Sequence, residues 1–556
     1  MKVVIVGAVA AGMSAATRLR RLDENAQIVV LEAGDHVSFA NCGLPYYVGG
    51  VIEDRSSLLL QTPQSLHARF DLDVRVRSRA VDVDPVGRTL TVRTADGEEY
   101  LESYDHLVLS PGARPIVPDV PGASRALVLR DVADVDRIAA ATADARTAVV
   151  IGAGFVGLEV AENLRHRGLD VTVVELAPQV LGAIDAEMAA RVQDRLENNG
   201  VQVITGAQVT SIGEDTVDIA APSGTHTAPA DLVIASIGVT PDSSLAAAAG
   251  ADLGPRGAIL VDEEMRTSVP GIYAVGDAAA KGDAFGDGPA LIPLANLANR
   301  HGRRVADVIA GRAGRGRPSI GTAVVGVFGL TAGVTGRTER RLIAEGRPYR
   351  AIHSHPMDHA GYYPGAAQMT LKLLVDPATD AIMGAQGVGE AGVDKRIDVI
   401  ATAIAGGITA SELADLELAY APAYGSAKDP INMLGYVAEN AASGTTPSMQ
   451  WHELANAADE APVVLDVRTA AEHARGTVVP PWGDAPVNIA IDDLRERHHE
   501  LPRDRRLVVH CQVGQRGHTA TRLLRQLGYD AVNLDGGYLT WRDGIRTLEP
   551  APASAV

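Results

Sequence analysis

The sequence predicts an α/β protein in which one doubly wound domain is nested inside another. Two segments, beginning at Lys2 and at Val149, each run from an apolar strand through a glycine turn into a helix-like stretch. A third segment, residues 270–277 (PGIYAVGD), is typical of a strand that ends in Gly-Asp. Strand–turn–helix units of this kind build open parallel sheets, and two copies are far more specific than either copy alone.

The first copy spans residues 2–12 (KVVIVGAVAAG) and continues through a predicted helix from Met13 to Leu22 into a strand that ends at Glu32. A glycine turn brings backbone amides and a helix N-terminus to a pyrophosphate, and the acid after the next strand accepts from a ribose hydroxyl. Val9 stands where the pattern has its middle glycine. The candidate nucleotide-binding residues are Gly7, Ala10, Ala11, Gly12 and Glu32.

The second copy, residues 149–157 (VVIGAGFVG), keeps all three glycines and leads through a helix to about Arg167 into the strand Val171–Val174. Glu175 follows that strand. Its carboxylate can accept from a ribose 2′-hydroxyl and would repel a 2′-phosphate, which favours NADH without excluding NADPH. The candidate residues of this site are Gly152, Gly154, Gly157, Glu159 and Glu175.

Further candidates lie where the chain crosses between the two domains. Residues 106–113 and 231–238 are apolar runs that end in small residues. The strand before Asp277 places an acid at the carboxyl end of a sheet, where ligands of such sheets bind. These candidates are Ser110, Pro111, Gly112, Gly238, Asp277 and Pro293.

The composition excludes several classes of protein. The chain has 556 residues, which suggests three or four domains of ~100–200 residues each. Its formal net charge of −19 argues against a general nucleic-acid-binding protein, which needs a basic surface. We find no secretory signal and no apolar run of ~18 or more residues, so we expect no membrane span. Two cysteines cannot form a disulfide framework, and we expect a protein of the reducing cytoplasm.

Both cysteines lie in segments that predict chemistry. Cys42 occurs in residues 38–47 (SFANCGLPYY), and Cys511 ends an apolar run and begins the loop 511–517 (CQVGQRG). Neither belongs to a Cys-x-x-Cys pair. A redox protein with solitary thiols must act on sulfur that a substrate brings, or cycle one thiol through an oxidised state.

Together these features resemble the flavin-dependent pyridine nucleotide–disulfide oxidoreductases, over residues 1 to about 440. The resemblance implies that the outer domain binds FAD, the inserted domain binds NAD(P)H, and the Gly-Asp segment holds the flavin ribityl chain. A dimerisation domain follows in that family. Most members carry a Cys-x4-Cys pair, whereas residues 41–45 (NCGLP) are similar to the single-cysteine branch. That branch contains coenzyme A disulfide reductases, coenzyme A persulfide reductases and NADH oxidases.

The segments 38–46 and 420–430 (YAPAYGSAKDP) are similar to the coenzyme A members of that branch. The resemblance implies small-molecule thiol or persulfide substrates and a mixed disulfide between Cys42 and coenzyme A, which reduced flavin cleaves. It also implies a homodimer in which two tyrosines from the partner subunit protonate the leaving thiolate, and the matching residues are Tyr362 and Tyr420. The candidate coenzyme A contacts are Arg18, Arg21, Ser38, Asn41, Arg69 and Arg300.

Several alternatives stay open at this point. The protein could be an NADH oxidase that cycles Cys42 through sulfenic acid, or a redox sensor whose flavin core controls a bound partner. Tyr363 is a rival for the role of its neighbour Tyr362. Three histidines near it could suggest a metal, but no cysteine and no dense acidic cluster accompanies them in the sequence, so we predict no metal site. These histidines are His353, His355 and His359.

The sequence predicts a separate domain in the C-terminal region. A Ser/Gly/Thr/Pro stretch at 443–447 is typical of a linker. Beyond it, residues 462–468 (PVVLDVR) and the loop with Cys511 and Arg516 resemble a rhodanese, which is a sulfurtransferase domain. Inward-pointing loop amides and a helix predicted from His518 favour a thiolate and then a persulfide at Cys511, and Arg516 adds positive charge. A phosphatase loop, which is usually longer between Cys and Arg, and an inactive relic are the alternatives.

The predicted fold class is therefore α/β, with two nested doubly wound dinucleotide-binding domains, an α+β dimerisation domain and a C-terminal α/β rhodanese domain. The expected cofactors are FAD and NADH, with coenzyme A as substrate. The predicted limits are 1–112 and 236–320 for the FAD-binding domain, 113–235 for the NAD(P)H-binding domain, 321–440 for the dimerisation domain, 441–458 for the linker and 459–556 for the rhodanese domain.

Overall fold

The computed structural model describes residues 1–286, 288–312, 314 and 316–548, and the chain divides into two compact units. The first unit comprises residues 1–174, 208–220 and 225–321, and the second comprises residues 175–207, 221–224 and the chain from 322 onward. Within the ranges given, no helix is both long enough and apolar enough to cross a membrane.

A five-stranded parallel sheet forms the centre of the first unit. Three of its strands, Lys2–Val6, Gln27–Leu31 and His106–Leu109, are mostly buried runs of valine, isoleucine and leucine, the pattern expected when both faces of a sheet are covered, whereas the edge strand Asp73–Arg75 is partly exposed. After the inserted domain, the chain returns to this sheet, because the strand that leads to Asp277 pairs with the strand His106–Leu109. The predicted nesting is therefore confirmed. In sheet order the strands are Ile272–Ala274, His106–Leu109, Lys2–Val6, Gln27–Leu31 and Asp73–Arg75.

The inserted domain has parallel strands of its own. Thr147–Ile151 lies between Asp170–Val174 and Leu232–Ala235, and the helix Phe155–His166 follows the glycine turn. The other α-helices of the first unit are Ala10–Arg20, Leu44–Gly49, Pro63–Phe70, Val132–Ala141, Ser244–Ala248 and Ala295–Ile309. The smaller strands before residue 321 are Ser78–Asp84, Thr89–Thr94, Glu99–Ser103, Ala113–Pro115, Val201–Ile204, Gln208–Ile212, Thr216–Ala221, Gly224–Pro229, Val239–Pro241, Ile259–Leu260, Ala279–Gly282 and Pro289–Ala290.

The first helix begins at Ala10, whereas the sequence predicted a start at Met13. The earlier start has a packing reason, since a Cβ atom on Gly12 would lie 1.9 Å from the carbonyl oxygen of Gly7. The first helical turn is therefore pressed directly against the glycine turn. Apolar periodicity does not detect such a contact between backbones.

A five-stranded antiparallel sheet forms one part of the second unit, which confirms the predicted α+β domain. The helices Val393–Gly406 and Pro430–Ala442 bury their apolar sides in the same core as this sheet. The helices Ala186–Asn198 and Glu339–Ala344 also belong to this unit. In sheet order the strands are Ala323–Val327, Leu330–Gly336, Ile382–Gly389, Met369–Val375 and Arg350–Ser354.

A five-stranded parallel sheet forms the C-terminal domain. In sheet order its strands are Ser448–Met449, Ala531–Leu534, Leu507–His510, Val463–Asp466 and Val487–Asn488. Its helices are Trp451–Ala455, Ala470–Ala474, Leu494–Arg497, Gln515–Gln526 and Gly537–Ile545.

The segment predicted as a linker contributes to this domain. Its strand Ser448–Met449 joins the sheet, and Trp451 lies in the apolar core with Trp541. Just before that strand, the hydroxyl of Thr446 lies 2.8 Å from Nδ1 of His518. The end of the segment is therefore held by packing and hydrogen bonds.

Candidate active sites

The first glycine turn is closed by contacts that only glycine permits. Gly7 has φ +98°, and a Cβ atom on it would lie 2.0 Å from the carbonyl oxygen of Ser110. This contact brings the turn and the segment Ser110–Gly112 together. Glu32 accepts a hydrogen bond from the backbone N–H of Ala8 at 2.9 Å, so the acid is fixed beside the same turn. The arrangement fits a dinucleotide, with a tight glycine turn that leads into a helix and a carboxylate for a ribose.

Asp277 lies in a short 3-10 helix, Gly276–Ala278, next to the first helix. A Cβ atom on Gly276 would lie 3.3 Å from that of Ala11. Burial raises the pKa of Asp277, and burial lowers the pKa of Lys281 to about 8. The structure thus brings the predicted residues 10–12, 110–112 and 277 to one place.

Lys281 and His301 were missed by sequence reasoning. The ammonium of Lys281 donates to the carbonyl of Gly276 at 3.3 Å and lies 3.1 Å from Nδ1 of His301. Burial, followed by the nearby positive charge of Lys281, lowers the pKa of His301 to about 3, so its imidazole is neutral. The one available signal was a lysine directly after the apolar residues Ala278–Ala280.

In the second glycine turn, the outer glycines allow close packing and the middle glycine leaves room for a ligand. A Cβ atom on Gly152 would lie 2.5 Å from the carbonyl oxygen of Ser236, and one on Gly157 would lie 2.0 Å from that of Gly152. A Cβ atom on Gly154 would meet nothing within 4 Å. The middle glycine therefore leaves the backbone open to a pyrophosphate, while the outer two close the turn. Gly238, at φ +113°, precedes the strand Val239–Pro241.

Glu175 belongs to the second unit. Its backbone N–H donates to the carbonyl of Ile204 at 2.9 Å, and its carboxylate accepts from the N–H of Ala177 at 2.8 Å. These bonds fix the direction of the carboxylate before any ligand arrives.

Cys42 lies in the 3-10 helix Asn41–Gly43, which leads into the helix Leu44–Gly49. Its side chain is exposed, but the surrounding protein desolvates it enough to raise the pKa of the thiol. The negative charges of Glu159 and Asp277 raise that pKa further. These protein groups favour the thiol over the thiolate.

Glu159 and Tyr46 form a contact beside Cys42. The Tyr46 hydroxyl donates to the Glu159 carboxylate at 3.3 Å. Burial raises the pKa of Glu159, and burial together with Glu159 raises the pKa of Tyr46 to about 12. The sequence placed Glu159 with the nucleotide, whereas the structure also connects it to Cys42, and Tyr46 was missed.

The predicted coenzyme A residues lie around the first helix. Arg18 is bound to Asp307 through Nε at 2.9 Å and Nη2 at 2.7 Å, so much of its guanidinium is occupied. Arg21 is exposed and lies 6.0 Å from the centre of the Phe70 ring. Of the other coenzyme A candidates, Arg69 and Arg300 are exposed on helices, Ser38 has φ +49°, and Asn41 begins the helix of Cys42. Pro293, a candidate for the nucleotide cofactor, is exposed before the helix Ala295–Ile309.

Tyr362 and Tyr420 meet in the second unit, although they are far apart in the sequence. Their hydroxyl oxygens are 3.2 Å apart, and the side chains are 76% and 49% exposed. The hydrogen bond to Tyr420 raises the pKa of Tyr362. The ring of Tyr363 instead lies edge-on to His359, with centroids 5.7 Å apart. The structure therefore pairs Tyr420 with Tyr362 and not with its rival.

A buried arginine joins the two segments that carry these tyrosines. Nη2 of Arg396 donates to the Asp358 carbonyl and to the Asp429 carboxylate, both at 2.8 Å. The N–H of Ala360 also donates to the carbonyl of Gly425 at 3.0 Å. Sequence reasoning missed Arg396, because an arginine inside a helix gives no signal for a contact with two distant loops.

Cys511 is fully buried directly after the strand Leu507–His510. Gly514 has φ +90°, and the next helix begins at Gln515, whereas the sequence predicted His518. The helix starts earlier because the left-handed glycine ends the loop. The helix N-terminus therefore lies close to the thiol along the chain, as a nest for a thiolate requires.

Two charged groups hold the sides of this loop. Arg516 binds the Glu472 carboxylate through both terminal nitrogens, at 2.9 and 2.6 Å, and it also interacts with Cys511. This pairing lowers the pKa of Glu472 to about 2. Arg468 donates to the Gln512 side chain at 2.9 Å and to the buried Asp466. Sequence reasoning did not predict the contact of Glu472 with Arg516.

The structure corrects one premise about the histidines. The carboxylates of Asp185, Glu187 and Glu339 form a dense acidic cluster, and Nε2 of His353 lies 3.1 Å from Glu187. The buried ammonium of Lys372 lies 2.9, 2.5 and 2.8 Å from the three carboxylates, respectively. Lys372 therefore supplies the positive charge that such a cluster needs. The sequence did not predict this cluster, because its carboxylates and its lysine come from distant segments of the chain.

Comparison with known proteins shows the family to which the chain belongs. A family model described as pyridine nucleotide-disulphide oxidoreductase matches residues 1–302, more than half of the sequence. The chain belongs to the pyridine nucleotide-disulphide oxidoreductase family. The dimerisation domain of that family matches residues 322–429, and a rhodanese-like domain matches residues 450–543. The protein is therefore an FAD- and NAD(H)-dependent oxidoreductase with a rhodanese-like domain.

Three relatives in this family show how far the likeness extends. A coenzyme A disulfide reductase of Staphylococcus aureus is 34% identical over 448 residues, which cover 79% of this chain and 100% of that protein. The crystal structure of reduced Bacillus anthracis CoADR-RHD is 44% identical, covers 98% of both chains and superposes with a TM-score of 0.95. A NAD-dependent persulfide reductase from A. fulgidus is 37% identical over 97% of this chain and 100% of that one, with a TM-score of 0.89.

Proposed function

We propose that the protein reduces coenzyme A disulfide or coenzyme A persulfide with NADH, through FAD, and that its C-terminal domain transfers sulfane sulfur. The observation that carries the proposal is the exposed thiol of Cys42 in a sequence with one other cysteine, the buried Cys511. Oxidised Cys42 is then expected to bond to sulfur from outside the chain. Relatives that match along the chain are named for coenzyme A disulfide and for persulfide reduction.

The bond changes at Cys42 follow from disulfide exchange. Its thiolate attacks one sulfur of coenzyme A disulfide, a Cys42–coenzyme A disulfide forms, and one coenzyme A thiolate leaves. With coenzyme A persulfide, attack on the sulfur attached to coenzyme A gives the same mixed disulfide and releases hydrosulfide. FAD, when bound, would supply the two electrons from NADH that return Cys42 to its thiolate and release the coenzyme A held on it, which is the second one released when the substrate is coenzyme A disulfide. The net reaction consumes one NADH and one proton.

The two nucleotides are assigned to the two glycine turns. We place FAD at Gly7–Gly12 with Glu32, Ser110–Gly112 and Asp277, and NADH at Gly152–Gly157. Packed outer glycines and the open backbone at Gly154 support this assignment. Glu175, whose carboxylate is already fixed by a hydrogen bond, is assigned to the NADH ribose.

The leaving thiolate needs a proton, and the tyrosine pair can supply it. Two phenols in contact at 3.2 Å allow one to donate a proton while the other stabilises the resulting phenolate. We assign Tyr420 as the acid and Tyr362 as its partner. A dimerisation domain and the exposure of both rings support a homodimer in which these tyrosines serve the Cys42 site of the other copy.

Coenzyme A carries phosphates, so its site needs fixed positive charge. Arg21, Arg69 and Arg300 are exposed and able to contact a phosphate. Arg18 is less available because Asp307 already binds it. We therefore rank the three exposed arginines ahead of Arg18, with Ser38 and Asn41 beside the thiol.

At Cys511, the thiolate attacks the outer sulfur of a donor such as thiosulfate. A Cys511 persulfide forms and sulfite leaves, and the outer sulfur then passes to a thiolate acceptor such as coenzyme A. Burial, the helix start at Gln515 and the charge of Arg516 support this role. We also assign the protein to the cytoplasm, because its two cysteines give no structural disulfide framework.

A side-by-side kinetic comparison tests the proposal. NADH consumption is measured with coenzyme A disulfide, coenzyme A persulfide and oxygen as the oxidising substrates. We expect rapid turnover with at least one coenzyme A substrate and slow turnover with oxygen. Rapid turnover with oxygen alone would support an NADH oxidase, and no turnover with any of the three would support a redox sensor.

The resting enzyme gives an independent test. Because Cys42 has no partner in the chain for an intramolecular disulfide other than Cys511, we expect purified protein to carry coenzyme A in disulfide linkage. Intact mass before and after dithiothreitol measures this adduct. An unmodified or sulfenic Cys42 in every preparation would contradict the proposed cycle.

A further inference from the structure

Two histidines, one in the strand Arg350–Ser354 and one just after it, contact the C-terminal domain. Both the backbone N–H and Nδ1 of His353 bind Oδ2 of Asp535, at 3.0 and 2.6 Å. Nε2 of His355 lies 2.8 Å from the hydroxyl of Thr540. These histidines and both of their C-terminal partners are buried. The C-terminal domain is therefore attached to the sheet by buried hydrogen bonds as well as by the connecting segment.

The segment that begins at Asp535 also carries the Cys511 loop. The N–H of Tyr538 donates to the carbonyl of Cys511 at 2.8 Å, and the N–H of Leu539 donates to the carbonyl of Gln512 at 3.1 Å. The same short stretch of backbone thus binds His353 at its start and the thiol loop a few residues later.

Two adjacent glycines fill the layer between the histidine and the loop. A Cβ atom on Gly536 would lie 2.9 Å from Cβ of His353, and one on Gly537 would lie 2.6 Å from the carbonyl oxygen of Cys511. Both glycines have φ near +64°. Since there is no spare room on either side, a displacement of Asp535 should be transmitted to the Cys511 backbone.

The opposite edge of the His353 ring is also fixed. Nε2 lies 3.1 Å from the Glu187 carboxylate, whose other partner is the buried Lys372. Both ring nitrogens therefore face carboxylate oxygens, and both must carry a proton to donate. The hydrogen bonds to Asp535 and Glu187, with the negative charge of Asp535, outweigh burial and raise the pKa of His353 to about 9.

We propose that His353 is a positioning residue for the sulfurtransferase site: by holding Asp535, it fixes the backbone on which the Cys511 loop rests. The inference depends on the proposed sulfur transfer at Cys511. It differs from a role in stability alone, because the Nδ1 edge of the ring, together with the backbone N–H of His353, sets the position of Asp535 and through it the geometry of the loop.

Two conservative variants separate the edges of the ring. In His353→Asn, the amide nitrogen takes the place of Nδ1 and can still donate to Asp535. In His353→Gln, the amide nitrogen takes the place of Nε2 and can donate only toward Glu187. Arg191→Gln is the matched control, since it removes an ion pair at 2.7 Å between the helix Ala186–Asn198 and Asp543 of the C-terminal domain, and changes neither His353 nor Asp535.

The measurements are thiosulfate:cyanide sulfurtransferase kinetics and the pH profile of Cys511 alkylation by iodoacetamide. The alkylation is done in a Cys42→Ser background, where Cys511 is the one remaining thiol. Reduction of coenzyme A disulfide in the Cys42-containing proteins and the melting temperature serve as controls.

We expect His353→Gln to lower the sulfurtransferase kcat by roughly 10-fold or more, since a misplacement of about 1 Å at a reacting group can cost about 100-fold. Its alkylation profile should move to higher pH. His353→Asn should stay within about 3-fold of wild type by the same reasoning. Arg191→Gln should lower the melting temperature without moving the profile.

Equal losses in His353→Asn and His353→Gln that follow the melting temperature, or unchanged alkylation profiles in both, would overturn the inference. Should His353→Gln fail to fold, Asp535→Asn gives the same comparison, with a shifted alkylation profile expected and an unshifted one contradicting the inference. Wild type with no sulfur transfer would refute the proposed function instead, and the alkylation profiles would still decide the role of His353.

Discussion

Cys42 and Cys511 are the two thiols of this chain, and the protein surrounds them in opposite ways. Cys42 is exposed, and desolvation with the charges of Glu159 and Asp277 raises its pKa. Cys511 is fully buried in a loop that Arg516 and a helix start complete. The difference teaches that the described protein groups favour the protonated thiol at Cys42, whereas they bring an arginine and a helix start to Cys511.

The largest expected effect tests whether the two sites are chemically independent. Cys511→Ser should abolish sulfur transfer from thiosulfate, because no sulfur nucleophile remains in the loop, and should leave reduction of added coenzyme A disulfide near normal. Cys42→Ser should do the reverse. The two assays are run on each variant. A variant that loses both activities would contradict the independence of the two sites.

The same variants test whether the sites cooperate. With a sulfane donor, coenzyme A and NADH, a chain that carries both cysteines should consume NADH efficiently, because two joined sites have roughly millimolar effective concentration. A mixture of the two variants at low protein concentration should be slower. If the mixture matches the intact chain, the two sites merely coexist, and plain disulfide reduction describes the enzyme better.

The next largest effect tests the proton donor that we assign to the Cys42 reaction. Tyr420→Phe removes a proton donor with little change in volume, and we expect coenzyme A disulfide turnover to fall by roughly 100-fold, within the usual range for general acids. Tyr424→Phe, which alters a 76% exposed ring nearby in sequence, is the control and should have little effect. Flavin reduction by NADH, followed by stopped flow, should not change. An equal loss in both half-reactions would indicate a structural role.

A smaller effect tests the ion pair between Glu472 and Arg516 beside Cys511. Glu472→Gln weakens the bidentate hold on Arg516, and we expect sulfur transfer to fall by roughly 10-fold. Because Arg516 lowers the pKa of folded Glu472 to about 2, the pair stabilises the fold above the unfolded pKa of about 4.3 and loses this contribution as pH falls toward 2.

The stability difference is measured by denaturant unfolding at pH 7 and pH 3. Since both side chains are partly exposed, we expect the variant to lose at most about 1 kcal/mol at pH 7. The gap should narrow at pH 3. A gap that stays constant or widens toward acid would show that Glu472 does not act through its charge.

The smallest effect concerns the choice between NADH and NADPH. A change in this choice should alter the Cys42 reaction and leave sulfur transfer at Cys511 unchanged. Glu175→Ala removes a charge that would repel a 2′-phosphate, worth about 1 kcal/mol at 4 Å in water, so the preference for NADH over NADPH should narrow by about 5-fold. The measurement is kcat/KM with each nucleotide, and sulfur transfer is the control. A wild-type preference for NADPH would mean that other residues set the choice.

The sequence alone was enough to predict the nested fold and to mark the candidate sites. Glycine turns such as Gly152–Gly157, the apolar strands around them and the solitary Cys42 and Cys511 are local patterns, and local backbone geometry requires those residue types at those spacings. The domain limits and the roles of individual residues stay predictions, because a pattern marks a position without showing its contacts.

The tertiary structure decided which side chains meet. The pairing of Tyr362 with Tyr420, of Arg18 with Asp307 and of His353 with Asp535 joins residues from distant segments. The buried Lys372 cluster and the contact of Lys281 with His301 arise in the same way. Periodicity and spacing report only on neighbours along the chain, whereas these contacts exist because folding brings separate elements together and a buried charge must find a partner there.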